Sequence, residues 1–94
     1  MSTKPWTVYI VETESGKLYT GITTDLERRF KEHRRQTGTG ARFFKISAAK
    51  RVVYSETQDD RSSATRRELQ IKKMRRAEKL QLVYKRAGIE DYLV

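Results

Sequence analysis

Two β-forming segments flank the turn residues Glu14-Ser15-Gly16-Lys17, and this arrangement constrains the fold more than any other feature of the chain. Trp6-Thr7-Val8-Tyr9-Ile10-Val11 is β-branched and aromatic, and Leu18-Tyr19-Thr20-Gly21-Ile22 reads as the strand returning from the turn. Thr24-Asp25-Leu26-Glu27 follows and matches a capping box, with Thr24 as N-cap and Glu27 at the third helical position. A helix is therefore expected over residues 25 to about 35. Thr37-Gly38-Thr39-Gly40 is too flexible to continue it.

Beyond that loop the pattern is less sharp. Residues 41–49 are ambiguous, with a short helix suggested around Phe43 and Phe44. Arg51-Val52-Val53-Tyr54-Ser55-Glu56 reads as a third strand, with Tyr54 as a core residue. Gln58-Asp59-Asp60-Arg61-Ser62 is a polar connection that offers caps for a second long helix from about Ser63 to at least Met74. Residues 77–86 are helical again, the helix ending at Gly88, and a kink over residues 75–77 would change how it packs. The order β-β-α-(α)-β-α-α specifies an α+β domain: a small three-stranded antiparallel sheet flanked by helices. With no repeat, linker or low-complexity tract, residues 1–94 are expected to form a single domain.

Composition narrows the function classes. The chain has no cysteine, which excludes disulfides, thiolate chemistry and cysteine-zinc sites. No apolar run approaches the roughly 20 residues of a membrane span, and the opening residues lack the apolar stretch of a signal peptide. A soluble, cytoplasmic protein with no membrane partner and no obligate protein partner is expected. The formal net charge of +9 is concentrated in two stretches, residues 28–51 and 61–86. Two basic stretches are what a polyanion footprint looks like, nucleic acid being the commonest such partner. Solvated helix faces rich in lysine and arginine would give the same charge pattern.

The helix faces carry the chemistry. Leu26, Arg29, Phe30 and His33 follow i, i+3, i+4, i+7 and share one side of the first helix. Arg29 and the chain's single histidine therefore point where Leu26 and Phe30 point, towards the sheet or a cleft beside it. In the second long helix Ala64, Glu68 and Ile71 share a face, which makes Glu68 an inward-leaning carboxylate among positive charges. An inward arginine, histidine and glutamate, with Tyr9 and Tyr19 on adjacent strands, can converge on one pocket. Such a set holds an oxyanion stabiliser, a proton carrier, a hard metal ligand and two phenols.

At these residues the chain resembles a GIY-YIG domain, in particular the small stand-alone bacterial members of the YhbQ type. The signature segments correspond to Thr7-Val8-Tyr9 and Tyr19-Thr20-Gly21, with Gly21 as the structural glycine. The run from Leu18 through Phe30 is characteristic of that subgroup, and Arg29 and His33 fall at the family's helix spacing. Gly38-Thr39-Gly40-Ala41 is similar to the glycine-containing loop of the stand-alone members. Arg67-Glu68-Leu69-Gln70-Ile71-Lys72-Lys73 is similar to the segment bearing the family's metal-binding glutamate. The resemblance covers a motif-bearing core over about residues 6–86.

The resemblance implies metal-dependent cleavage of a phosphodiester in DNA, with repair or processing of structured DNA as the setting. It implies that Glu68 holds a divalent ion, Mg2+ or Mn2+, ions that suit hard oxygen ligands and keep several waters. Arg29 corresponds to the arginine that neutralises charge on the phosphoryl oxygens. Tyr9 or Tyr19 would orient the attacking water and take its proton, with His33 assisting; the two tyrosines are not distinguished as the base. Arg28, Arg34, Arg35, Arg42, Lys72 and Lys73 are the expected nucleic-acid-binding residues. The chain departs from some family nucleases at Ile22, where they carry a lysine able to lower a tyrosine pKa.

Alternatives stand beside each assignment. Tyr9 and Tyr19 also make sense as strand aromatics wanting one hydrogen bond, and His33 as a buried histidine bonded to a carbonyl. Arg29 and Glu68 could fasten helix to helix as a buried salt bridge. Phe43 and Phe44 could stack on bases or simply anchor the glycine loop. At the level of function, the alternative is a non-catalytic module binding DNA or RNA on the same scaffold.

Overall fold

In the computed structural model, which describes residues 4–86, the hairpin forms as its sequence requires and provides two strands of a three-stranded sheet. The strands are β1 (Trp6–Thr13), β2 (Leu18–Thr23) and β3 (Ala49–Gln58), ordered β2-β1-β3 and antiparallel throughout. Thr13 closes the hairpin: its carbonyl accepts from Gly16 N and its hydroxyl from Lys17 N. β3 is longer than the expected 51–56 at both ends. It follows the whole of β1, with register shifts between Ile10 and Val11 and between Glu12 and Thr13. Pairing along a neighbour satisfies its backbone groups where side-chain propensity alone gives no strand signal.

Alternation along β1 sends side chains to opposite faces of the sheet. Val8 and Ile10 join Tyr54, Ala64 and Ile71 in one buried cluster, against which Met74, Leu82 and Val83 pack. Tyr9 and Val11 join Phe44 and Ala49 in the other, packed by Leu26, Phe30 and Phe43. The helices divide accordingly. α1 (Leu26–Arg35) and α2 (Ala41–Ile46) supply residues to the Tyr9 face, while α3 (Arg61–Lys73) and α4 (Arg76–Arg86) supply the Val8 face. Tyr54 is core as expected, and its hydroxyl donates to Glu56, which also accepts from Arg67 at 2.9 Å.

Both long helices begin away from the sequence reading, α1 one residue later and α3 two residues earlier. Asp25, not Thr24, caps α1, its carboxylate accepting from Arg28 N at 3.0 Å. Thr23 fixes this choice because its hydroxyl accepts from Asp25 N at 3.0 Å, which holds Asp25 in the cap position. At α3, Asp60 accepts from Ser63 N at 2.8 Å, so the helix starts at Arg61 rather than Ser63. α3 ends at Lys73, short of the expected Met74, whose backbone is extended (φ −68°, ψ 147°), and α4 resumes at Arg76, so the break begins just before the expected 75–77. The expected end at Gly88 falls outside the described residues. Among the described residues no helix is long and apolar enough to cross a membrane.

Candidate active site

Gly21 lies opposite Tyr9 in the β1–β2 register. With no side chain there, the Tyr9 ring folds over the glycine. A Cβ on Gly21 would lie 2.6 Å from Tyr9 Oη and 2.8 Å from Cζ, so only glycine fits without displacing the phenol. Tyr19, two residues before Gly21, points to the same face and meets Tyr9 with ring centroids 6.5 Å apart. Gly40 does for Tyr19 what Gly21 does for Tyr9: its φ of 86° suits glycine, and a Cβ would approach the Tyr19 hydroxyl to 2.7 Å. The glycine loop is thereby part of the site, with Phe44 buried beneath it and Phe43 against the Tyr19 ring at 5.3 Å. The phenylalanines are the anchor for this loop.

α1 delivers Arg29 and His33 to the same place, as its apolar spacing requires. His33 is 0% exposed, and its Nε2 lies 2.7 Å from Tyr9 Oη in a buried hydrogen bond. The histidine's partner is therefore a phenol rather than a backbone carbonyl. His33 Nδ1 is buried without a partner. Burial, and then the Arg29 guanidinium, lower the His33 pKa to about 4, so the imidazole is neutral at physiological pH. Burial also raises the Tyr9 phenol above its ordinary value, and Tyr19 adds to the effect while Arg29 opposes it. Tyr19 is raised by burial too, with Lys72 opposing and Glu68 reinforcing. Both phenols hold their protons at neutral pH.

A cavity of about 220 Å3 opens beside these groups, lined by Tyr9, Tyr19, Gly21, Arg29 and Thr39 together with Trp6, Ile22, Arg61 and Glu68. The first group belongs to the Tyr9 side of the sheet and the second includes residues of the Val8 side. The two meet at β2, an edge strand. Four of the sequence-expected residues, Tyr9, Tyr19, Arg29 and Glu68, thus share one wall-to-wall space. His33 is not in the lining; it sits behind Tyr9 and reaches the cavity only through that hydroxyl.

The salt bridge weighed between Arg29 and Glu68 does not form. Among the described residues Arg29 pairs with Glu32 at 3.2 Å and Glu68 with Lys72 at 3.1 Å, each within its own helix. Neighbours at i+3 and i+4 are in reach without deforming either helix, so the two groups stay available to the cavity. Arg29 Nε is buried without a hydrogen-bond partner.

Among the described residues there is no cluster of three or more His, Cys, Asp or Glu side chains able to hold a metal, and Glu68 is the only carboxylate in the cavity lining. One carboxylate beside phenol oxygens fits a hard ion that keeps most of its water, which is how magnesium is commonly bound. It does not fit an ion that needs a cage of protein ligands. Arg28, Arg34, Arg35, Arg42, Lys72 and Lys73 are all exposed. Arg34 lies over the Phe30 ring at 5.9 Å, and Lys72 adjoins the cavity through Glu68.

Trp6 and Arg61 line the cavity without having been expected there, whereas Ile22 and Thr39 were singled out only as the lysine position and as part of the glycine loop. Arg61 was within reach of the helical rule: it precedes Glu68 by two turns on the same face of α3. Trp6 carried no comparable signal, because a strand tryptophan reads as core.

These features define a small, basic α+β domain whose cleft holds Tyr9, Tyr19, two arginines and Glu68. Residues 5–81 match the family model of the GIY-YIG catalytic domain. The chain is 40% identical over 89 residues to the UPF0213 protein YhbQ of Escherichia coli strain K12, covering 95% of this chain and 87% of that protein. The UPF0213 protein YhbQ of Shigella boydii serotype 18 is 39% identical over 89 residues, with the same coverage. The solution NMR structure of the UPF0213 protein BH0048 from Bacillus halodurans matches with a TM-score of 0.57 and 32% identity, covering 89% of this chain and 87% of that chain. The chain belongs to the GIY-YIG family, a family of nuclease type whose members typically use divalent metals.

Proposed function

We propose that this chain is a divalent-metal-dependent phosphodiesterase that cuts DNA in the processing of structured forms, residues 1–94 acting as one catalytic module. The observation that carries the reading is the convergence of Glu68 and Arg29 with two phenols on one cavity. A carboxylate in a cleft otherwise built for a polyanion repels the ligand unless a cation intervenes. A pure binding module gains nothing from Glu68.

In this reading Glu68 holds Mg2+ or Mn2+, which when bound polarises the phosphate and stabilises the leaving oxygen. Arg29 faces the phosphoryl oxygens with a planar, always-charged fork. The water oxygen forms the new bond to phosphorus as the bond to the leaving sugar oxygen breaks, and that oxygen takes a proton from solvent to leave as the alcohol. Tyr9 takes the water's proton while its own phenolic proton moves along the 2.7 Å hydrogen bond to His33 Nε2. The acceptor behind the phenol is a neutral imidazole whose protonation burial and Arg29 oppose, so this route depends on the negative charge of a bound phosphodiester to favour the imidazolium. Tyr19, held by Gly40, supports the cavity wall and orients the water.

Arg28, Arg34, Arg35, Arg42, Lys72 and Lys73 track the flanking phosphates, so affinity falls steeply with salt. The test is a cleavage screen over single-stranded, nicked and branched DNA and structured RNA with magnesium and manganese. Failure to cut any of them at protein concentrations that saturate binding would leave the non-catalytic binding module as the surviving account.

A further inference from the structure

The cavity has a second arginine that the proposed chemistry leaves unused. Arg61 is the first residue of α3, and its guanidinium lies 5.5 Å from the centre of the Trp6 ring. Both side chains line the cavity that holds Tyr9, Arg29 and Glu68. The cavity's other arginine, Arg29, is tied to Glu32, as Arg51 is to Glu12 and Arg67 to Glu56. Among the described residues Arg61 is in no such pair, and the nearby Asp60 carboxylate is occupied by Ser63. What holds Arg61 is the face of an indole, which orients the guanidinium while leaving its N–H groups unspent.

Resting on the nuclease reading above, we propose that Trp6 and Arg61 form a second phosphate-binding arm of the cleft. Arg61 binds the phosphodiester next to the scissile one, and Trp6 is its positioning residue. The arm enters from α3 and the start of β1, whereas Arg29 enters from α1, so the two arginines engage the strand from different elements. Two arginines, each preorganised differently, set the path of the backbone across Glu68. A planar guanidinium that is already stacked loses little freedom when it takes a phosphate.

Trp6 is the chain's only tryptophan, so its fluorescence reports on this arm alone. Full-length protein in EDTA is titrated with a short single-stranded oligodeoxynucleotide, following tryptophan emission and the anisotropy of a labelled copy. The oligonucleotide is expected to change Trp6 emission. Arg61→Gln is expected to weaken binding roughly threefold to tenfold and to reduce the slope of log affinity against log salt by about 0.7. Trp6→Leu is expected to reproduce part of that loss, and the double variant to bind no more weakly than Arg61→Gln, since the indole acts through the arginine. Arg61→Lys keeps the charge without the stacked plane and is expected to fall between.

An unchanged salt slope in a folded Arg61→Gln protein would overturn the proposal. So would additive losses from the two single substitutions, which would make Trp6 an independent contact. Thermal melts identify any variant that has not folded, and Arg61, exposed on α3, is the one least exposed to that failure. None of these measurements needs cleavage. An inert wild type would thus undo the nuclease reading while the binding arms still decide this one.

Discussion

His33 should be a hidden pH switch on stability. Its ring is 0% exposed and its Nε2 is bonded to Tyr9 Oη at 2.7 Å. Burial and the Arg29 guanidinium lower its pKa from 6.5 to about 4. A histidine that is harder to protonate when folded stabilises the fold fully above its unfolded pKa. The stabilisation is lost as pH falls towards the folded value, because the unfolded chain takes up the proton first. At about 1.36 kcal/mol per pH unit, the gap corresponds to a loss on the order of 3 kcal/mol between pH 6.5 and 4. For a domain of this size that is a large fraction of a typical total of about 5–15 kcal/mol.

Glu56 and Asp60 also have lowered pKa values, the first bonded to Tyr54 and Arg67 and the second to Ser63. Their contributions vanish lower on the scale, near the ordinary carboxylate range, so the histidine must be isolated by difference. The assay is urea unfolding at several pH values between 7 and 4 for the wild type and for His33→Gln, which cannot titrate. The wild type should lose about 3 kcal/mol more than the variant over this window. A histidine ring-proton NMR titration should show a midpoint near 4. Parallel stability curves, or a midpoint near 6.5, would refute the picture of a buried neutral imidazole behind Tyr9.

Three further outcomes follow from the same geometry. Gly21→Ala places a methyl 2.6 Å from Tyr9 Oη and should cost about 1–3 kcal/mol, with cleavage lost because the phenol moves; a denaturation midpoint equal to wild type would contradict the close packing. Tyr9→Phe removes the bond to His33 and leaves its imidazole unpaired, so unfolding should be easier by about 1–3 kcal/mol, and the histidine midpoint measured by NMR should move as well. Replacing Arg34 and Arg35 together by Gln, both exposed, should weaken DNA binding and reduce its salt slope by about 0.9 per lost duplex contact; an unchanged slope would remove α1 from the footprint.

The sequence made the sheet legible because β1 and the returning strand carry their propensity in an unbroken run. The face of α1 was equally readable: Leu26, Arg29, Phe30 and His33 share a side, and the structure finds His33 buried behind Tyr9. Caps were harder because Thr23, Thr24 and Asp25 all have cap chemistry, and the choice depends on a local bond from Asp25 N to Thr23. The ends of β3 were invisible for a different reason. Residues such as Ala49 and Gln58 become strand only because β1 offers a partner there. The alternative of an ion pair between the helices is the one that fails. Arg29 and Glu68 are each satisfied along their own helix, a competition that spacing reveals only when every i+3 and i+4 neighbour is weighed. The meeting of Trp6 with Arg61 depends on how α3 crosses the start of β1, which no local pattern encodes.

The central claim is that Glu68 serves a cation that the reaction requires. The most direct test compares wild type with Glu68→Gln in two readings on one labelled DNA substrate: cleavage rate with magnesium or manganese, and binding affinity in EDTA. The account predicts that the wild type cuts only with the ion, that Glu68→Gln does not cut, and that the variant binds metal-free DNA at least as tightly because a repelling charge has gone. A Glu68→Gln protein that cuts at the wild-type rate, or a wild type that cuts equally well in EDTA, would contradict it.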